Sequence, residues 1–247
     1  MTNLRVGVIG AGVMGSGIAQ TLAQAGHETV GFDVSQEAVD RAGEAVRSGR
    51  YGFERAVARG KLSREDADAA LGRLSFTTDL DRATDAGLVV ECVPEDLALK
   101  LDVFRDLDRR APEDTVLASN TSGFPATALA AVTERPERVV VWHWASPPPV
   151  MKFAEIVRGP RTSDATVELV CRIAQSCGKN PVVVKDSPMH WGFVANRIYG
   201  AMLREARAVV AEGVASREQV NQLMVDCFNW PVGPYAMIEG ASSGWKE

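Results

Sequence analysis

Three glycines, at positions 10, 12 and 15, constrain this chain more than any other feature, because of what flanks them. Residues 4–9 form a short β-rich run, LRVGVI. Residues 12–25 carry apolar side chains at helical spacing, with Val13, Ile18, Leu22 and Ala25 near one face and Gly26 placed to cap the end. A Gly-x-Gly-x-x-Gly turn that leaves a strand and opens a helix marks the first crossover of a βαβ unit. Gly10 permits the tight turn, Gly12 lets the backbone approach a pyrophosphate, and Gly15 lets helix and strand pack closely. The first turn of the helix, around Val13 and Met14, turns free N–H groups and the positive end of its dipole toward the phosphates. Residues 28–32 read as a second strand. Asp33 ends it, 18 residues beyond Gly15, where a carboxylate takes the ribose hydroxyls. A carboxylate repels a 2′-phosphate, and Val34-Ser35-Gln36 supplies no Arg or Lys. The pattern therefore favours NAD over NADP.

Strand and helix patterns then alternate. A helix starts at the N-cap Ser35, and Ser63-Arg-Glu-Asp66 resembles a capping box. Strands are expected at 88–93, 115–118, 139–144, 153–157 and 181–184. Helices are expected at 96–111, stopped by Pro112, and from Ser163 to near Gly178. The order demands an α/β domain with a mostly parallel sheet and helices on both faces. From Ser187 onward only helical spacing remains, at about 192–212 and 216–228. The expected division is 1–186, a Rossmann-type NAD-binding domain, and 187–247, a short all-α domain.

Charge and cysteine content narrow the function further. A net charge of −5 gives no basic field for nucleic acid or an anionic membrane. No apolar run reaches the roughly 18 residues of a membrane span. No secretory signal is read at the N-terminus. Cys92, Cys171, Cys177 and Cys227 form neither a CxxC pair nor a Cys/His cluster, so no metal is expected and the cytoplasm is the expected location.

Oxidising a secondary alcohol requires a base for the hydroxyl proton, and histidine suits that role near neutral pH. Three histidines are present. His27 falls in the turn after the first helix, remote from the strand ends, and reads as a surface residue. His190 lies between the sheet domain and the helical tail. His143 falls at the C-terminal end of a strand, where open α/β sheets bind ligands. Glu155 follows 12 residues later on the next strand-like segment and is a carboxylate able to orient the imidazole.

GAGVMGSGIAQTLAQA at 10–25, EDLALK at 95–100, Asn120-Thr-Ser122, His143 to Pro147, PVMK at 149–152, Glu155, KDSP at 185–188 and GFVANR at 192–197 together resemble the L-3-hydroxyacyl-CoA dehydrogenase family, over nearly the whole chain. The resemblance implies a reversible oxidation of a 3-hydroxyacyl thioester, with His143 as base and Glu155 as its orienter. It implies that Ser122 and Asn196 bond the substrate or the histidine. It implies that Glu95, Lys100, Asn120, Ser122 and Ser146 join the glycine turn and Asp33 in holding NAD.

Three departures stand out. The family's His-Phe-Phe-Asn-Pro is here His143-Trp-Ala-Ser146-Pro147. Its Pro-Gly-Phe is here Pro188-Met-His-Trp-Gly-Phe193, with three residues inserted. Positions where some members hold CoA phosphates align with Gly49 and Ala56, with Arg50 and Arg55 nearby. A carrier-bound or free hydroxy acid stays open as the substrate, and so does a non-catalytic NAD-binding role. The helical tail is shorter than usual for the family. It carries more apolar surface, Phe193, Ile198, Met202, Leu223, Phe228 and Trp230 among it, than two helices bury against each other. The expectation is a homodimer centred beyond residue 192.

Overall fold

The computed structural model describes residues 3–243, and the chain separates into two units, Met1–Trp191 and Gly192–Glu247. The first runs β1 (Arg5–Ile9), α1 (Val13–Gln24), β2 (Glu28–Phe32), α2 (Gln36–Ser48), α3 (Phe53–Ala58), α4 (Arg64–Gly72), β3 (Leu74–Thr77), α5 (Leu80–Thr84), β4 (Leu88–Glu91), α6 (Leu97–Arg110), β5 (Val116–Ser119), α7 (Ala126–Ala130), β6 (Val139–Trp144), β7 (Phe153–Arg158), α8 (Asp164–Ser176) and β8 (Asn180–Lys185). The second holds α9 (Val194–Ala211), α10 (Arg217–Phe228) and α11 (Pro234–Ser243).

The strands pair in the order β3-β2-β1-β4-β5-β6-β7-β8. Every neighbouring pair is parallel except β6 and β7. From β1 the chain steps outward to β2 and β3, then returns past β1 to β4. Right-handed crossovers in opposite directions place helices on opposite faces, and the reversal at β1/β4 opens a crevice at the strand C-termini. This is a Rossmann-type sheet followed by a helical unit.

Central strands buried on both faces read as continuous apolar runs. Val6 and Val8 of β1, Leu88 and Val90 of β4, and Val140 and Trp142 of β6 meet Ile18 and Leu22 of α1 in one buried cluster. A smaller cluster of Val46, Phe53, Ala67 and Ala70 joins α2, α3 and α4. Ser35 caps α2 by accepting from Ala38 N, and Gly26, at φ +100°, follows α1 in the left-handed conformation glycine tolerates. At Ser63 only half of the expected capping box forms. Its hydroxyl accepts from Asp66 N at 3.0 Å, but the Asp66 carboxylate takes the Ser63 hydroxyl proton instead of reaching the cap's main-chain N–H. Aspartate is one methylene shorter than the usual glutamate. The complete box lies at Ser216, where Gln219 reaches back to the Ser216 N–H at 2.8 Å.

In the second unit, Ala206, Val220 and Tyr235 draw α9, α10 and α11 together, and the Tyr235 hydroxyl donates to Ala206 O at 3.1 Å. No helix among the described residues is long and apolar enough to cross a membrane.

Candidate active site

The glycine turn sits in the crevice between β1 and β4. Gly10 has φ +99°, and a β-carbon there would lie 2.7 Å from Cys92 O. A β-carbon on Gly15 would lie 1.7 Å from Gly10 O. These two glycines are therefore demanded by the chain's own packing. Gly12 is not: a β-carbon there meets nothing within 4 Å, and its φ is an ordinary −69°. What the bare Gly12 keeps clear is space outside the chain. It is also the N-cap of α1, where no side chain caps the helix and no acid occupies the first turn. The exposed N–H groups and dipole end thus remain available to an anion. Asp33 closes the turn from the β2 side, its Oδ2 accepting from Ala11 N at 2.9 Å and Oδ1 from Ser35 N at 3.2 Å. A pyrophosphate at Gly12 and a ribose beside Asp33 fit this cradle.

A buried charge network underlies the next strand ends. Lys100, from α6, is 1% exposed. Its ammonium donates to Glu91 Oε1 at 2.8 Å and Val93 O at 3.0 Å and lies 3.3 Å from Glu95 Oε2. Glu91 Oε2 accepts from Ser119 Oγ at 2.6 Å. Burial pushes the Glu91 carboxyl above the usual carboxylate range, while Lys100, Ser119 and the Val93 N–H pull it back. Glu95 passes the order on. Its Oε1 accepts from Thr121 Oγ1 at 2.7 Å and Ser122 N at 2.9 Å, fixing the loop after β5. Asn120 ties that loop to the next strand, its Oδ1 accepting from Trp144 N at 3.0 Å.

His143 and Glu155 face each other across the antiparallel β6/β7 pair. Directly opposed residues project to the same face, so the strand register itself sets His143 Nδ1 3.0 Å from Glu155 Oε2. Both are buried, and Phe153 meets the imidazole edge-on at 5.2 Å between centroids. The loop after Trp144, which carries Ser146, is anchored by Lys179. Its ammonium donates to Pro148 O at 2.6 Å and Met151 O at 2.7 Å and lies 5.1 Å from the centre of the Trp144 ring.

One expectation is overturned. His27 is not a surface residue: it is 6% exposed. The turn after α1 is covered by the end of α8, where Ser176 Oγ lies 3.0 Å from His27 Nε2. His190 stands in the inserted segment with Nδ1 3.1 Å from Ser187 Oγ. Asn196 occupies the first turn of α9, in the second unit. Glu91, Thr121 and Lys179 were not singled out from the sequence. A glutamate ending the apolar run LVVE was the available signal for Glu91. Thr121 and Lys179 act through contacts more than 25 residues away along the chain, which spacing does not reveal.

A phosphate cradle with an acid at the end of β2, joined on one sheet to a buried histidine–carboxylate pair, belongs to an NAD-dependent oxidoreductase of hydroxyl groups. Comparison with known proteins names the group. Residues 5–187 match the 3-hydroxyacyl-CoA dehydrogenase NAD binding domain, and residues 192–245 match the 3-hydroxyacyl-CoA dehydrogenase C-terminal domain. The chain belongs to the 3-hydroxyacyl-CoA dehydrogenase family. A probable 3-hydroxybutyryl-CoA dehydrogenase of Bacillus subtilis is 40% identical over 94% of this chain and 79% of its own length. The crystal structure of (S)-3-hydroxybutyryl-CoA dehydrogenase from Ralstonia eutropha superposes with a TM-score of 0.90 at 38% identity, covering 96% of this chain and 81% of that one. A 5-formyl-3-hydroxy-2-methylpyridine 4-carboxylate 5-dehydrogenase of Mesorhizobium japonicum is 37% identical over 92% of this chain and 70% of its own length.

Proposed function

We propose that this enzyme catalyses the reversible, NAD-linked oxidation of a 3-hydroxyacyl thioester, a 3-hydroxyacyl-CoA, to its 3-oxo form. The carrying observation is the His143–Glu155 pair, 3.0 Å apart and buried at the strand ends. NAD, when bound, supplies the acceptor for the hydride. The Glu155 carboxylate holds a proton on Nδ1, so Nε2 is the nitrogen that takes the substrate's hydroxyl proton. Glu155 then stabilises the imidazolium that forms. Ser122 bonds the substrate oxygen or the imidazole. Glu95, Asn120, Ser122 and Ser146 line the nicotinamide half of the cofactor site, and Lys100 serves it by holding Glu95. Asp33, Gly10, Gly12, Val13, Met14 and Gly15 hold the adenosine and pyrophosphate.

Residues 187–247 form the substrate and dimerisation domain. Ile198, Leu223 and Phe228 are each at least 60% exposed in the single chain, which supports a homodimer through this region. Light scattering at micromolar concentration tests it: a single species at the 26.5 kDa of one chain overturns the dimer. Four free cysteines suit the cytoplasm, and the reaction places the enzyme in fatty acid metabolism.

A second reading is a free or carrier-bound hydroxy acid; the Mesorhizobium relative, whose name gives a free formylpyridine carboxylate, supports only a substrate that is not a CoA ester. NADH absorbance with 3-hydroxybutyryl-CoA and 3-hydroxybutyrate decides. Turnover of the thioester supports the first reading; turnover of the free acid alone overturns it.

A further inference from the structure

We propose that Trp191, in the segment inserted after Pro188, forms one wall of the acyl subsite and makes the enzyme selective for short acyl groups. The proposal rests on the reading of the substrate as a 3-hydroxyacyl thioester. The observation that carries it is the seat of the indole. A β-carbon on Gly123 would lie 2.4 Å from Trp191 Cε2, 2.6 Å from Cδ2 and 2.7 Å from Nε1. A side chain at position 123 would have to displace that ring, and Gly123 directly follows Ser122.

The loop under the ring is rigid. Thr121 Oγ1 accepts from Gly123 N at 3.3 Å and from Phe124 N at 3.0 Å, and it donates to Glu95, which also holds Ser122 N. The segment that delivers the ring is held as well. His190 N donates to Ser187 O at 3.1 Å, and His190 Nδ1 lies 3.1 Å from Ser187 Oγ. The indole thus lies against Gly123, one residue from a proposed substrate contact, and it remains 62% exposed. An indole lodged against a backbone recess, with most of its surface still in solvent, is placed to make apolar contact with something else. On this proposal an acyl chain running from Ser122 toward Gly123 meets the ring, and a longer chain is hindered by it. Pocket walls of this kind discriminate by about 10–200-fold for a methylene that does or does not fit.

The test is steady-state kinetics with 3-hydroxybutyryl-CoA and 3-hydroxydecanoyl-CoA on wild type, Trp191→Ala, Trp191→Phe, Gly123→Ala and the Gly123→Ala/Trp191→Ala double variant. Circular dichroism and NADH affinity serve as folding controls. Wild type is expected to prefer the shorter thioester. Trp191→Ala should move the ratio of kcat/KM toward the longer one by about tenfold or more, through a raised KM for the short substrate with kcat nearly kept. Gly123→Ala, which pushes the ring away, should move the ratio in the same direction. The double variant should add nothing to Trp191→Ala, and Trp191→Phe should stay near wild type. Titration calorimetry of 3-hydroxybutyryl-CoA should show weaker binding to Trp191→Ala, independent of turnover. If wild type turns the thioesters over but Trp191→Ala keeps the wild-type ratio within twofold, the wall assignment is wrong and the substrate reading stands. If wild type turns over neither thioester, the substrate reading fails and this inference fails with it.

Discussion

Lys100 Nζ lies 2.8 Å from Glu91 Oε1, with both side chains closed off from solvent. The pair sits below the loop that carries Ser122, and Glu95 links the two. A buried ion pair is costly to break from one side, because an uncompensated charge is left in a low dielectric. Lys100→Met should lower unfolding stability by about 3–5 kcal/mol, read from the urea midpoint. Lys100→Met combined with Glu91→Gln should recover part of that loss, since no buried charge is then left alone. Additive losses would show that the two residues act independently.

Asp33 links cofactor choice to loop geometry, because the carboxylate proposed to face the ribose accepts from Ala11 N. Asp33→Ala should weaken NAD binding by about 1.5–3 kcal/mol for each charge-assisted hydrogen bond lost. NADP should gain relative to NAD as the repelling charge disappears. Asp33→Asn keeps an acceptor for Ala11 while removing the charge, so it should alter the NAD/NADP ratio with less loss of NAD affinity. Tighter binding of NADP than NAD by the wild type would contradict the role assigned to Asp33.

The His143–Glu155 pair predicts a clean separation of binding from chemistry. His143→Gln should cut turnover by about 10²–10⁴ with NADH affinity nearly unchanged by fluorescence titration. Glu155→Gln should act in the same direction and less strongly, because the base remains but loses its orienting charge. Loss of activity in His190→Gln with retention in His143→Gln would move the base to the inserted segment.

How much of this was legible beforehand follows from where the signals lie. The turn at Gly10–Gly15, Asp33 and the strand carrying His143 are local patterns, and each stands where its spacing placed it. The approach of Glu155 to His143 needed only two adjacent strands, but their antiparallel sense, which makes the residues direct opposites, was not encoded in either run. β3 escaped because its four residues are all only half-buried, leaving no strong alternation to read. Short helices such as α3 and α5 lie within one or two turns, below the length at which a helical period declares itself. Thr121 and Lys179 were invisible because their roles consist of contacts distant in sequence.

His27 gives the last prediction, and it follows from the burial that sequence reasoning missed. Leu4 N points at Nδ1 at 3.4 Å, while Ser176 Oγ lies 3.0 Å from Nε2 and gives its own proton to Ile173 O at 2.7 Å. Ser176 therefore accepts from His27, and Nδ1 carries the lone pair. Burial holds the imidazole below its usual value. The unfolded chain then binds this proton more readily than the folded one. Stability from His27 is present above the unfolded imidazole's value, near 6.5, and is lost as pH falls through that value toward the folded one. His27→Asn keeps an acceptor toward Leu4 but does not titrate. At pH 7.5 the wild type should melt above His27→Asn, and by pH 5.5 the gap in Tm should have narrowed. Both proteins share every other titrating group, so the difference isolates this one. A gap that stays constant or widens on acidification would mean that His27 is protonated inside the fold.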